Sequence, residues 1–147
     1  MRRNFTKLSN AIFTLRPDLY SFSFAMLPDD LQAMQLLLDG ISSLIAQKGP
    51  NLFRLDLDKL KIEIIHSIFM LAKKRHHQLK LSIQNPESQS QFSKFYKLGI
   101  EERAVVYLKD KRNFSLKSIE QITELTSAEI IYKLHTTRKQ FSQENVL

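Results

Sequence analysis

Cysteine and tryptophan are both absent from this chain. Without cysteine there are no disulfides and no thiolate-ligated zinc, which is compatible with a reducing, cytoplasmic location. Glycine occurs three times and proline four times in 147 residues. With so few turn formers, and no period-two apolar runs set between hairpin turns, the chain reads as all-α. No apolar run approaches the length that spans a bilayer, so no membrane partner is expected. Met1-Arg2-Arg3 imitates the start of a signal peptide, but Lys7, Ser9, Asn10 and Arg16 interrupt any apolar segment behind it, and secretion is not expected. Catalytic patterns are missing too: there is no Ser/His/Asp spacing, glycine-rich phosphate loop or metal-ligand cluster. The adjacent pair His76-His77 projects its rings about 100° apart on a helix and has no third ligand. Asp56, Asp58 and Glu63 sit at a helix start, where solvated carboxylates belong. Neither an enzyme nor a cofactor is expected.

Acidic residues are also in deficit. Lysine and arginine number 22 against 15 aspartates and glutamates, giving a net charge of +7 and a pI near 9.7. That charge attracts nucleic acid, and equally the acidic surface of a large nucleic-acid enzyme. A hydrophobic content of 43% is that of a globular chain.

The most informative stretch is Ser115–Phe141, SLKSIEQITELTSAEIIYKLHTTRKQF. Ile119, Ile122 and Leu125 form one apolar set; Ile130, Leu134 and Phe141 form a second at helical spacing. Between them Thr126-Ser127-Ala128-Glu129 fits a capping box, Thr126 accepting from the Glu129 amide while Glu129 reaches back to Thr126. A short helix, a tight turn and a second capped helix make a helix-turn-helix, whose second helix is suited to a DNA major groove. The same arrangement also serves as a plain core hairpin. With Ile130, Leu134 and Phe141 inward, a rotation of about 100° per residue puts Ala128, Tyr132, His135 and Lys139 outward, flanked by Thr136 and Arg138. That face is rich in hydrogen-bonding groups, has no carboxylate and becomes basic towards its C-terminal end.

Upstream, Phe5, Leu8, Ile12 and Leu15 predict a first helix over 4–15, and Pro17 suits the first position of a second, over 17–26. Asp29 is expected to cap a third helix reaching about Gln47, with Met34, Leu37, Leu38, Ile41, Leu44 and Ile45 buried and Gly49-Pro50 ending it. A connection follows, and then a long helix from about Asp58 to Lys80, buried along Leu60, Ile64, Ile65, Ile68, Leu71, Ala72 and Leu79. Its end, Lys73-Lys74-Arg75-His76-His77-Gln78-Leu79-Lys80, is the densest basic run. It reads either as charge matched to the helix dipole or as a phosphate-contacting surface. Residues 81–92, rich in Ser, Gln and Asn and containing Pro86, read as a linker. The expected architecture is therefore two small helical domains, 1–80 and 93–147, the second containing the helix-turn-helix. In the latter, Ala104, Val105 and Leu108 face inward from a helix starting at Ile100.

This order resembles that of bacterial RNA polymerase sigma factors of the extracytoplasmic-function type. LGIEERAVVYLKDKRNFSLKSIEQITELTSAEIIYKLHTTRKQF is similar to the family's C-terminal domain nearly end to end. Leu98 and Glu102-Arg103 stand at its Leu-Pro-x-x-x-Arg pattern. Ser115, Ile119 and Ile122 stand at its Ser-x-x-Glu-Ile-Ala-x-x-Leu, and Ile130, Leu134-His135 and Arg138 fall on its recognition-helix line. In the first half, LYSFSFAMLPDDLQAMQLLLDGISSLI resembles the polymerase-binding stretch, and SIFMLAKKRHHQL the helix that holds opened downstream promoter DNA. Some positions depart from the pattern. Ser67 replaces a Trp and Lys74 an Asn; Ile131 and Thr136 replace cations; and Glu124 takes a turn position that is usually Gly.

The resemblance implies a transcription initiation protein that binds core RNA polymerase and double-stranded promoter DNA, with an anti-sigma-type regulator as a further partner. Gln35 and Asp39 would contact polymerase. Ser127, Ala128, Tyr132 and His135 would lie near base edges, Arg138 and Lys139 on phosphate, and Lys73, Lys74 and Arg75 along downstream DNA. Two alternatives stay open: a degenerate sigma-like protein–protein module, and a free-standing helix-turn-helix regulator.

Overall fold

A computed structural model describes residues 2–80 and 95–144, all helices and turns with no strand among them. The expected linker, with Phe92 and the Leu79 side chain, lies outside the described residues. The chain divides into two compact units, Met1–Ala72 and Lys73–Leu147.

The first unit opens with α1, Arg2–Met26, one continuous helix with Pro17 inside it. This corrects the expectation of two helices meeting at Pro17. Proline removes the hydrogen bond to the carbonyl four residues back and crowds it, at a cost of about 3 kcal/mol. The helix continues because Leu8, Ile12, Leu15, Leu19, Phe22 and Met26 recur at steps of four and three without a change of phase across Pro17. Leu19 and Met26 are completely buried and Phe22 nearly so. Breaking the helix would uncover one half of that stripe.

Asp29 caps α2, Asp30–Lys48, its carboxylate accepting from the Gln32 amide at 2.8 Å. The helix ends as expected at Gly49, whose φ of 52° is in the left-handed region and whose N–H reaches the Ile45 carbonyl. The buried face is Ala33, Leu36, Leu37, Gly40 and Leu44. Leu38 and Ile45, expected inside, are exposed. They lie seven and fourteen residues after exposed Leu31, so α2 carries a second apolar stripe that nothing in its own unit covers. A 3-10 segment, Gly49–Arg54, replaces the expected open connection and buries Leu52. Asp56 then caps α3, Leu57–Lys80, accepting from the Lys59 amide at 2.8 Å.

Leu60, Ile64, Ile65, Ile68 and Ala72 of α3 are buried as expected; Leu71 is only half-buried, and Phe69 is fully buried in addition. α2 and α3 meet closely at Gly40: an added Cβ there would stand 2.7 Å from Ile68 Cγ1. Ser67 Oγ donates to the Gly40 carbonyl at 2.7 Å. The polar residue at 67 is therefore engaged in helix packing.

From Lys73 on, the last turns of α3 belong to the second unit. There α4, Ile100–Val106, runs on into a widened π-type turn over Tyr107–Lys111. Ala104, Val105 and Leu108 are fully buried, as expected. Ser115 caps α5, Leu116–Thr123, accepting from the Ser118 amide at 3.1 Å. A three-residue turn leads to α6, Ser127–Glu144. Glu124 opens that turn at φ 62°, in the left-handed conformation that costs a non-glycine residue roughly 1 kcal/mol. Glu124→Gly is expected to stabilise the second unit by up to about 1 kcal/mol, read as a higher denaturant midpoint. A lower midpoint would mean that the contacts of the Glu124 side chain outweigh its backbone strain.

Candidate nucleic-acid interface

The turn between α5 and α6 is built from local hydrogen bonds. Thr123 Oγ1 donates to the Ile119 carbonyl at 2.7 Å, and Leu125 N–H donates to Thr123 Oγ1 at 3.3 Å. The capping box forms in both directions: Glu129 N–H donates to Thr126 Oγ1 at 3.2 Å, and Thr126 N–H to Glu129 Oε1 at 3.3 Å. Glu129 is exposed, but its carboxylate is turned back onto Thr126 rather than along the helix.

Ile130 and Leu134 are buried and Phe141 half-buried, and Thr137, which sequence reasoning missed, completes the inner stripe at 3% exposure. The spacing 130, 134, 137, 141 was the readable signal; threonine's hydroxyl hid it. Opposite this stripe Ala128, Tyr132, His135 and Lys139 are all exposed. This is the expected outward face, and Ile131 extends it as an exposed apolar side chain.

Two of the predicted contact residues on α6 are engaged elsewhere. Ser127 Oγ donates to Glu120 of α5, which tethers the first turn of α6 to its neighbour. Arg138 pairs with Asp110 at 2.5 Å, and this carboxylate raises the guanidinium pKa further. Thr136 Oγ1 donates back to the Tyr132 carbonyl at 3.0 Å. Lys133 is held by Glu102 at 2.7 Å and Glu101 at 3.8 Å. Partial burial pushes the Glu102 carboxyl up, but the Lys133 hydrogen bond, a hydrogen bond from its own backbone amide and the Lys133 charge together outweigh it, so the net displacement is downward. The stability this pair contributes is present above the ordinary carboxylate range and is lost as pH falls through the lowered value. None of these partners is local in sequence except Tyr132 to Thr136, so no motif signals them.

The basic run at the end of α3 is divided. Lys73 lies 3.5 Å from Glu101, whereas Lys74 is exposed and Arg75 half-buried. His76 is within 3.0 Å of Arg103 Nη2. Arg103 is 2% exposed and stacks over Tyr96 with its guanidinium carbon 5.4 Å from the ring centroid. Burial lowers its pKa to about 10, still protonated at neutral pH. Arg103 and the two residues before it thus organise the second unit, holding α3's end, Tyr96 and α6.

In the first unit, Gln35 and Asp39 sit one turn apart on α2 and are joined by a 2.9 Å hydrogen bond. They lie beside Leu38, in the exposed stripe that contains Leu31 and Ile45. No group of three or more metal-ligating side chains is found among the described residues, and none of the described helices is long and apolar enough to cross a membrane. Compared with known proteins, the chain matches no protein-family model and no curated protein.

Proposed function

We propose that this protein is a sigma-type transcription initiation factor, with α6 as the recognition helix of a helix-turn-helix and α2 as the surface that meets core RNA polymerase. The observation that carries the reading is the division of α6. Ala128, Tyr132, His135 and Lys139 are exposed on one side, Ile130, Leu134 and Thr137 are buried on the other, and a reciprocally capped tight turn joins the helix to α5. That is the shape a major-groove reader needs. The +7 charge supports a polyanionic target. On α2 the exposed Leu31, Leu38 and Ile45, interleaved with Gln35 and Asp39, supply the mixed apolar and polar character of a protein-binding face. The initiation activity would belong to polymerase; this chain positions it.

A second reading is a protein–protein module derived from the same fold. It draws on the cations already paired within the molecule, Lys73 with Glu101 and Arg138 with Asp110. Gel filtration with core polymerase separates the readings. The full chain is expected to co-elute, and Asp39→Lys to weaken the complex about tenfold or more with helicity unchanged. No co-elution by the unaltered chain removes the sigma reading and leaves a free-standing DNA-binding module. For DNA, Lys139→Ala is expected to reduce the salt slope of binding by about one unit for all duplexes alike.

A further inference from the structure

We propose that α6 selects duplexes carrying thymine, its exposed strip seating thymine C5-methyl groups in the major groove instead of gripping guanine. The inference rests on the reading of α6 as a DNA-contacting helix and names the sequence class it takes.

Each base edge in the major groove is matched by a side-chain type: Arg or Lys for guanine O6 and N7, Asn or Gln for adenine, a carboxylate for the cytosine amine, and apolar carbon for the thymine methyl. The strip opposite the buried face of α6 can be sorted on that basis. Neither Asn nor Gln stands at 128, 131, 132 or 135. The nearest carboxylate, Glu129, is committed to the cap at Thr126. Of the cations, Arg138 is paired with Asp110 through one Nη2–Oδ1 contact at 2.5 Å and Lys133 lies 2.7 Å from Glu102. Lys139, about a turn beyond His135 at the far end of the strip, is placed for a phosphate. His135, exposed about a turn beyond Tyr132, offers a ring nitrogen but not the two-pronged fork that fits guanine O6 and N7. What the strip offers over its first two turns is mainly carbon: the methyl of Ala128, the side chain of Ile131 at 54% exposure and the ring of Tyr132 at 69%. Isoleucine and tyrosine that exposed have no packing role within the fold. Against a duplex the isoleucine side chain and the face of the tyrosine ring match the apolar part of the groove, the thymine methyl, while the Tyr132 hydroxyl is left to a phosphate or a base edge.

The experiment is a selection from random duplexes with the full chain, alone and with core polymerase, followed by affinity measurements in which each thymine of the enriched site is replaced by deoxyuridine. The expected result is a thymine-containing site that binds about fourfold more weakly for each contacted methyl removed, the fold-change that burying one such group corresponds to. Ile131→Ala or Tyr132→Ala should abolish the difference between thymine and uracil at one position each. Both side chains are exposed, so the variants keep the fold, which circular dichroism checks. A guanine-centred motif, or equal affinity for the uracil duplex, overturns the thymine assignment and leaves α6 a DNA reader. Enrichment of no motif in either arm overturns both, and makes the exposed strip a protein-binding surface.

Discussion

Pro17→Ala is expected to raise the stability of the first unit by about 2 kcal/mol. Pro17 is exposed and lies well inside α1, so its ring contributes little packing, while its missing N–H leaves the Phe13 carbonyl without its helical donor. An alanine restores that bond and relieves the crowding, about 3 kcal/mol in an isolated comparison. Against it stands the extra freedom that alanine gives the unfolded chain, roughly 0.4–1 kcal/mol. The difference is the expected net gain, read from denaturant unfolding of the full chain. A neutral or destabilising result would mean that the helix is shaped around the proline, with the stripe from Leu8 to Met26 packed on a bend that alanine straightens.

The opposite sign is expected at Gly40. An added Cβ would meet not only Ile68 Cγ1, which can rotate, but also Ile68 Cα at 3.3 Å, which cannot without moving α3. Alanine gains about 1 kcal/mol of helix propensity and loses roughly 1–3 kcal/mol to overpacking, so Gly40→Ala should be mildly destabilising. Gly40→Val adds two more methyl groups in the same gap and stiffens χ1. It should cost about 3 kcal/mol or more and displace the Ser67 hydroxyl from the Gly40 carbonyl. Thermal unfolding of the two variants ranks them. If valine were tolerated as well as alanine, α2 and α3 would have to part easily, and the close approach would not be a determinant of the first unit.

What the sequence discloses depends on how local the deciding interaction is. The Asp29 cap and the Thr126–Glu129 box are complete within four residues, and they are found where the pattern puts them. The outward face of α6 was legible for the same reason: helical phase is set by Ile130 and Leu134 alone. At Pro17 a local rule and a longer one compete, and the longer one wins, because six apolar residues in phase across 8–26 outweigh one lost bond. On α2 periodicity is ambiguous. Leu36, Leu37 and Leu38 are consecutive, and only packing within the folded unit selects the first two for the interior. The side chains removed from the candidate interface, Ser127 and Arg138, were not foreseeable at all. Their partners Glu120 and Asp110 lie seven and 28 residues away and reach them only after the helices pack. Ser67 is a similar case: only the folded contact with Gly40 shows what the hydroxyl is for.

The capped turn between α5 and α6 bears on the order in which the second unit assembles. Its hydrogen bonds close loops of only two to four residues, so almost no chain entropy separates the unfolded ensemble from this corner. The Lys133 contact with Glu102 and the Arg138 contact with Asp110 close loops of 31 and 28 residues and must come later. The corner is therefore expected to form first, with the left-handed strain at Glu124 acting against it. Relieving the left-handed strain at that residue should appear mainly as faster refolding, whereas breaking either long ion pair should appear as faster unfolding.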